Sequence, residues 1–226
     1  MAAGLVTWAA LDIGRRMPAI VLGAALFLLP RPHMAGILLI SLCLALLVSS
    51  SLGILKKLAL LAIAIPLSIV GAQFGLSYAG LGDASGFSDI SDYFETRQGY
   101  NLGGGSSVDI AGMSIPMRLF TYMFRPLLFD ADGVMGLVVS VENLALLLLF
   151  LAALFRKKRT RSDLGRFAFM FYLIFAIASW FVLANTTANL GIAIRQKTMF
   201  LPMLVVLLFS MWKGVSKKST NKEART

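Results

Sequence analysis

Seven of the eleven carboxylates, Asp83, Asp89, Asp92, Glu95, Asp109, Asp130 and Asp132, fall between residues 79 and 133, and Arg97, Arg118 and Arg125 lie among them. A carboxylate held beside a sugar hydroxyl can take its proton as a general base. A guanidinium presents paired N–H donors to a phosphate. Asp89, Asp92 and Glu95 are therefore candidate catalytic bases. Arg97, Tyr100 and Asn101 are candidate ligand contacts, and they run into Gly103-Gly104-Gly105-Ser106-Ser107. Successive glycine and serine N–H groups can converge on an anion. No strand pattern precedes this run, so neither a Walker loop nor a dinucleotide fingerprint is supported. A solvated, flexible connector has the same composition, and both readings stay open.

A second polar group lies later in the chain. Asn185, Thr186, Thr187, Asn189, Arg195, Gln196 and Lys197 make an unusually polar turn between apolar runs. Asn189, Arg195 and Lys197 are candidate binding residues there. Glu142 and Asn143 interrupt another apolar run. A carboxylate inside a membrane span is expensive unless paired or wetted. Glu142 is thus a fourth candidate base, or it reaches the outer interface or pairs with Arg195. With one cysteine, Cys43, and one histidine, His33, the chain has no metal-ligand spacing and no Ser-His-Asp set. No metal or cofactor is expected.

The elements that must position these residues follow from composition. Of 226 residues, 58% are hydrophobic and 14% charged, against about 45–50% and 25% for soluble domains. Mean hydropathy is +0.81. A soluble globular enzyme is excluded, and an all-α, polytopic transmembrane helical bundle is predicted. A crossing takes about 20 apolar residues. Runs at Met17–Leu29, Met34–Leu55, Leu58–Tyr78, Val134–Phe155, Phe167–Ala184 and Thr198–Trp212 give about six spans. The division is residues 1–78, an N-terminal membrane region; 79–133, an external (periplasmic) loop; 134–212, a C-terminal membrane region; and 213–226, a basic tail. Ala2 to Leu11 are apolar but too few to cross, which suits an interfacial helix or the remnant of a longer N-terminal region. Arg15 and Arg16 before an apolar stretch resemble a signal peptide, but the absence of a small-x-small cleavage pattern favours a retained anchor.

Within the external loop, Ser114 and Pro116 mark a helix start. Arg118 and Arg125 stand seven apart, on one helical face beside apolar Leu119, Phe120, Met123 and Phe124. That pattern predicts an interfacial helix whose arginines hold a lipid phosphate or snorkel to headgroups. The net charge is +10, yet the basic residues cluster between apolar runs, so loops facing the cytoplasm account for them better than nucleic acid does. Placing the long loop outside leaves 15 of the 21 basic residues inside, among them Arg156 to Arg161 and the tail. The positive-inside rule then puts both termini in the cytoplasm.

The segment from Asn189 through Gly191, Arg195 and Phe200 to Pro202 resembles a late external turn in integral membrane proteins of bacterial O-antigen, capsule and exopolysaccharide clusters. The stretch Tyr93 to Ser107 is similar to the external loop of their polymerase-like members. The likeness covers about half the chain, from Asp89 to Trp212. It implies an inner-membrane protein that acts on undecaprenyl-diphosphate-linked glycans at the outer face. Lipid-linked glycan, membrane lipids and other polysaccharide-assembly proteins would be its partners, and Arg97 and Arg195 its principal ligand residues. The complete polymerases that this chain resembles have about ten to twelve spans, so the likeness implies either the C-terminal half of a longer protein or a small accessory. A glycan hydroxyl would attack an anomeric carbon while diphosphate departs, with arginines, Arg118 and Arg125 included, stabilising the leaving charge. The rival reading is a non-catalytic transporter, flippase or assembly subunit, for which an acid in a span such as Glu142 is equally expected.

Overall fold

The computed structural model of the protein describes residues 1–28, 31–49, scattered positions between 54 and 69, and residues 107–110, 112–131, 133–155 and 164–212. Among them every regular element is an α-helix. In chain order these are α1 (Ala2–Ala10), α2 (Ile13–Leu28), α3 (Pro32–Ser49), α4 (Ile115–Phe124), α5 (Gly133–Leu154), α6 (Arg166–Thr186), α7 (Leu190–Lys197) and α8 (Leu201–Trp212). The fold is all-helical, as composition predicts.

Helix α6 is the centre. Phe171, Tyr172 and Phe175 on it are fully buried, and α3 packs along it most extensively, with α4 and α8 also against it. Phe27 of α2 meets Phe175 at a ring-centroid distance of 6.3 Å. Helix α1 pairs with α2 at close range. A side chain at Gly23 would stand 2.3 Å from Val6 Cγ2, so only glycine lets the two backbones approach this closely. Ala3, Val6, Ala9 and Ala10 are buried there, and the Tyr172 hydroxyl donates to the Thr7 carbonyl at 2.5 Å. The first ten residues are therefore part of the core.

The number of crossings is the main correction to the sequence reading. Among the described residues two helices, α5 and α6, are long and apolar enough to span a membrane, and α7 with α8 makes a third if the bent pair counts as one span. Six spans are not supported. Helix α2 loses helical geometry at Arg16 (φ −112°, ψ 17°), and its apolar part, Pro18–Phe27, covers only about 15 Å. The apolar part of α3 is His33–Ser49, about 26 Å. The expected last span, Thr198–Trp212, is found as α8, and the 65° bend between α7 and α8 falls at its start. Pro202 sits in the first turn of α8, where its missing N–H is harmless but cannot continue a helix from upstream. The expected third span, Leu58–Tyr78, lies mostly outside the described residues.

Helix α5 is the least enclosed element. Val134, Leu137, Val138, Val141 and Leu148 are all exposed, an arrangement suited to lipid and not to water. It joins the rest through α4 and α8. Phe124 of α4, Phe150 of α5 and Trp180 of α6 meet edge-on, with centroids 5.7 to 6.2 Å apart.

Candidate functional site

At the end of the bundle where α6 stops and α7 begins, polar side chains from four helices converge. Asn189 caps α7: its side-chain oxygen accepts from the Ile192 N–H at 3.1 Å, which satisfies one of the free donors of a helix start. The backbone before it is held as well, since the Val108 N–H donates to the Ala188 carbonyl at 2.8 Å, and Ser107 bridges to Asn189. The polar turn singled out by sequence is thus a fixed structure. Arg195 and Lys197 fall in the last turn of α7, where the helix dipole favours cations.

Those two cations have opposite environments. Arg195 is exposed. Lys197 is buried, 4% exposed. Its ammonium donates to Asn143 Oδ1 at 2.6 Å and to the Met123 carbonyl at 3.1 Å. A buried charge without such partners would be prohibitive. Asn143, itself buried, donates its amide to the Pro126 carbonyl at 3.0 Å. The pair ties α5 and α7 to the end of α4. Beside it, Thr187 Oγ1 donates to Gln196 Oε1 at 2.7 Å, and the Tyr122 hydroxyl reaches the same oxygen at 3.5 Å. Burial raises the Tyr122 phenol well above its usual range, so it stays protonated as a donor.

Of the expected interfacial helix, the start is found as predicted, with Ser114 at the cap and proline in the first turn. Its end is not. Arg125 precedes Pro126 and adopts extended geometry (φ −94°, ψ 152°), as a residue before proline must. Arg118 and Arg125 therefore do not share a helical face. Arg118 donates to the Met113 carbonyl at 2.9 Å and to Asn185 Oδ1 at 3.3 Å. Arg125 closes a bidentate pair with Asp130, at 2.5 and 2.8 Å. These hydrogen bonds hold the Asp130 carboxyl below its ordinary range and raise Arg125.

Glu142 lies nine residues into α5, about 14 Å from its start. It lines a groove of about 360 Å³ between α5 and α7–α8. Glu142, Ala145 and Leu149 recur at helical spacing on one wall, and Leu201, Val205 and Phe209 at four-residue intervals on the other. Lys197 and Thr198 line the same groove, Lys197 through its bond to Asn143 beside Glu142. An acid, a cation and an amide therefore meet at one end of an apolar trough.

The structure thus brings Glu142, Asn189, Arg195 and Lys197 into one region with Arg118 nearby, while Arg125 is engaged by Asp130. Asp89, Asp92, Glu95, Arg97, Tyr100 and Asn101 lie outside the described residues. Asn143, Tyr122, Thr187 and Gln196 were not singled out as site residues. The available signal for Asn143 was an amide next to an acid inside an apolar run. Among the described residues no three His, Cys, Asp or Glu side chains gather to hold a metal ion. No family model matches the chain, and no curated protein or solved structure matches it either.

Proposed function

We propose that the protein is a multi-pass protein of the bacterial inner membrane that works in surface-polysaccharide assembly, contacting undecaprenyl-diphosphate-linked glycan at the outer face. The observation that carries this reading is the C-terminal turn. The later of the two segments through which the chain resembles polysaccharide-cluster proteins forms a braced motif, in which Asn189 caps α7, Lys197 is locked inward and Arg195 is exposed. An exposed guanidinium on a braced support can present paired N–H donors to a phosphate. The basic clusters support the orientation, with α4, α7 and the polar layer outside and both termini in the cytoplasm.

Glu142 is the described carboxylate in position to act as a base toward a glycan hydroxyl, with Arg195 stabilising the departing diphosphate. The test compares deletion of the gene with Arg195→Ala at matched expression in the native host, reading polymer length and lipid-linked repeats. Accumulated single repeats and loss of long polymer in both strains are expected. Unchanged glycan in the deletion strain overturns the reading.

A further inference from the structure

We propose that the outward face formed by α5 and α7 is an interface between two copies of this chain, in which Glu142 of each copy pairs with Arg195 of the other. Glu142 has nine helical residues before it in α5 and twelve after, so in a bilayer it stands near mid-span, and it is exposed. A carboxylate bared to hydrocarbon at that depth is costly unless a cation or water meets it. Its own chain does not close the pair. Among the described residues Glu142 makes no ion pair, and the Lys197 ammonium beside it is spent on Asn143 and the Met123 carbonyl. Arg195 has the complementary want, since it too is exposed and makes no ion pair among the described residues.

The two charges share a layer. Lys197 bonds Asn143, the residue after Glu142, and Arg195 comes two residues earlier in α7, a rise of about 3 Å. They also share a side: Thr198, three residues on, lines the groove with Glu142, which puts Arg195 within about 60° of that wall. Copies of a membrane protein related by a two-fold axis along the membrane normal meet at equal depth, and each contact is made twice. A carboxylate and a guanidinium at one level are then self-complementary. A different membrane protein would need a basic residue of its own at mid-span, itself costly, whereas a second copy brings one that the fold already exposes. The surround is apolar. Val138, Val141 and Leu148 are exposed on α5, and Ala145, also exposed, is small enough for a neighbouring helix to come close. On the reading above, base and cation would then come from two chains, but the interface itself does not rest on that reading.

The experiment co-expresses the full chain in two forms with different affinity tags and reads how much of one form is retained with the other in mild detergent. Native copies are expected to co-purify. Glu142→Arg in both forms, or Arg195→Glu in both, is expected to cut retention at least about tenfold, because each sets like charges opposite one another twice. Glu142→Arg in one form with Arg195→Glu in the other is expected to restore it, since every pair across the copies is again opposite in charge. A pair within one chain gives no rescue by mixing, and that result, in forms that keep the native tryptophan fluorescence transition, overturns the proposal. So does failure of native copies to co-purify, which leaves the face to lipid or to another membrane protein. Glu142→Gln and Arg195→Gln remove a charge without reversing it, which guards against a reversal that fails to fold. Each is expected to lower retention severalfold, and unchanged retention with both overturns the ion pair. Co-purification alongside normal glycan in the deletion strain removes the polysaccharide reading and leaves the interface assigned. Loss of polymer on deletion with copies that stay apart does the reverse.

Discussion

Replacing Asn143 by leucine removes two hydrogen bonds of the polar layer, the one its oxygen accepts from Lys197 and the one its N–H donates to the Pro126 carbonyl, and the double-variant comparison separates the first. In the native protein the Lys197 ammonium has two acceptors, Asn143 Oδ1 and the Met123 carbonyl. Asn143→Leu removes the first and leaves a buried charge half-satisfied, an effect of about 3–5 kcal/mol. Lys197→Met keeps the aliphatic stem and removes the charge, leaving two acceptors without a donor at about 1–3 kcal/mol. The double variant has no charge left to strand. Its destabilisation is expected to fall below that of Asn143→Leu alone, so the coupling energy is about 2 kcal/mol or more. For a chain of this size about 2–4 °C follows each kcal/mol. Asn143→Leu then lowers the thermal midpoint by about 6–20 °C, and adding Lys197→Met restores part of it. Tryptophan fluorescence in detergent follows the transition, since Trp180 lies against Phe124 and Phe150 at the edge of the layer. Strictly additive losses would refute the argument that this amide exists to hold the ammonium.

The Arg125–Asp130 pair gives a pH dependence. Its carboxyl is held below the ordinary range, so the pair's stabilisation is complete above about pH 4 and is lost as pH falls through the lowered value. Asp130→Asn should remove that acid-range slope, at a loss of no more than about 1 kcal/mol near neutrality. Gly23→Ala should destabilise by about 1–3 kcal/mol, because the new methyl meets the stiff Val6 side chain, and Val6→Ala in the same chain should recover most of it. Thermal midpoints of the two single variants and the double check this. Ser179 Oγ is buried with no hydrogen-bond partner among the described residues, so Ser179→Ala should be neutral or stabilising by up to about 1 kcal/mol. A clear loss would show that the hydroxyl has a partner.

The long helices were legible because an apolar run of span length leaves little else to form. The runs Val134–Phe155 and Phe167–Ala184 correspond to α5 and α6 within two residues. The break between α7 and α8 was legible too, because it falls where the polar turn ending at Lys197 gives way to the last apolar run. Helix α1 was legible in its length but not in its packing: ten apolar residues cannot cross a bilayer, but small residues facing Gly23 let them pack against a neighbour. At the site, Lys197 looked like a ligand-binding partner of Arg195 because the two are alike in sequence. Only the fold separates them, by placing an amide from a distant helix over one and leaving the other exposed. Arg118 and Arg125 were paired by helical spacing, and the proline after Arg125 was the evidence against it.

The bond between Asn143 and Lys197 joins residues 54 positions apart, and synthesis delivers them in that order. Helix α5 is made with the Asn143 oxygen still without its ammonium, while α8, twelve residues long, is too short to hold a transmembrane position unaided. The last part of the chain therefore acts as a bolt shot after the door is hung. Until Lys197 arrives, α5 has Pro126 and Phe124 from the preceding segment as partners; once it does, the second wall of the trough is fixed beside α5. A truncation before residue 197 would thus leave its mark on a helix made long before the cut.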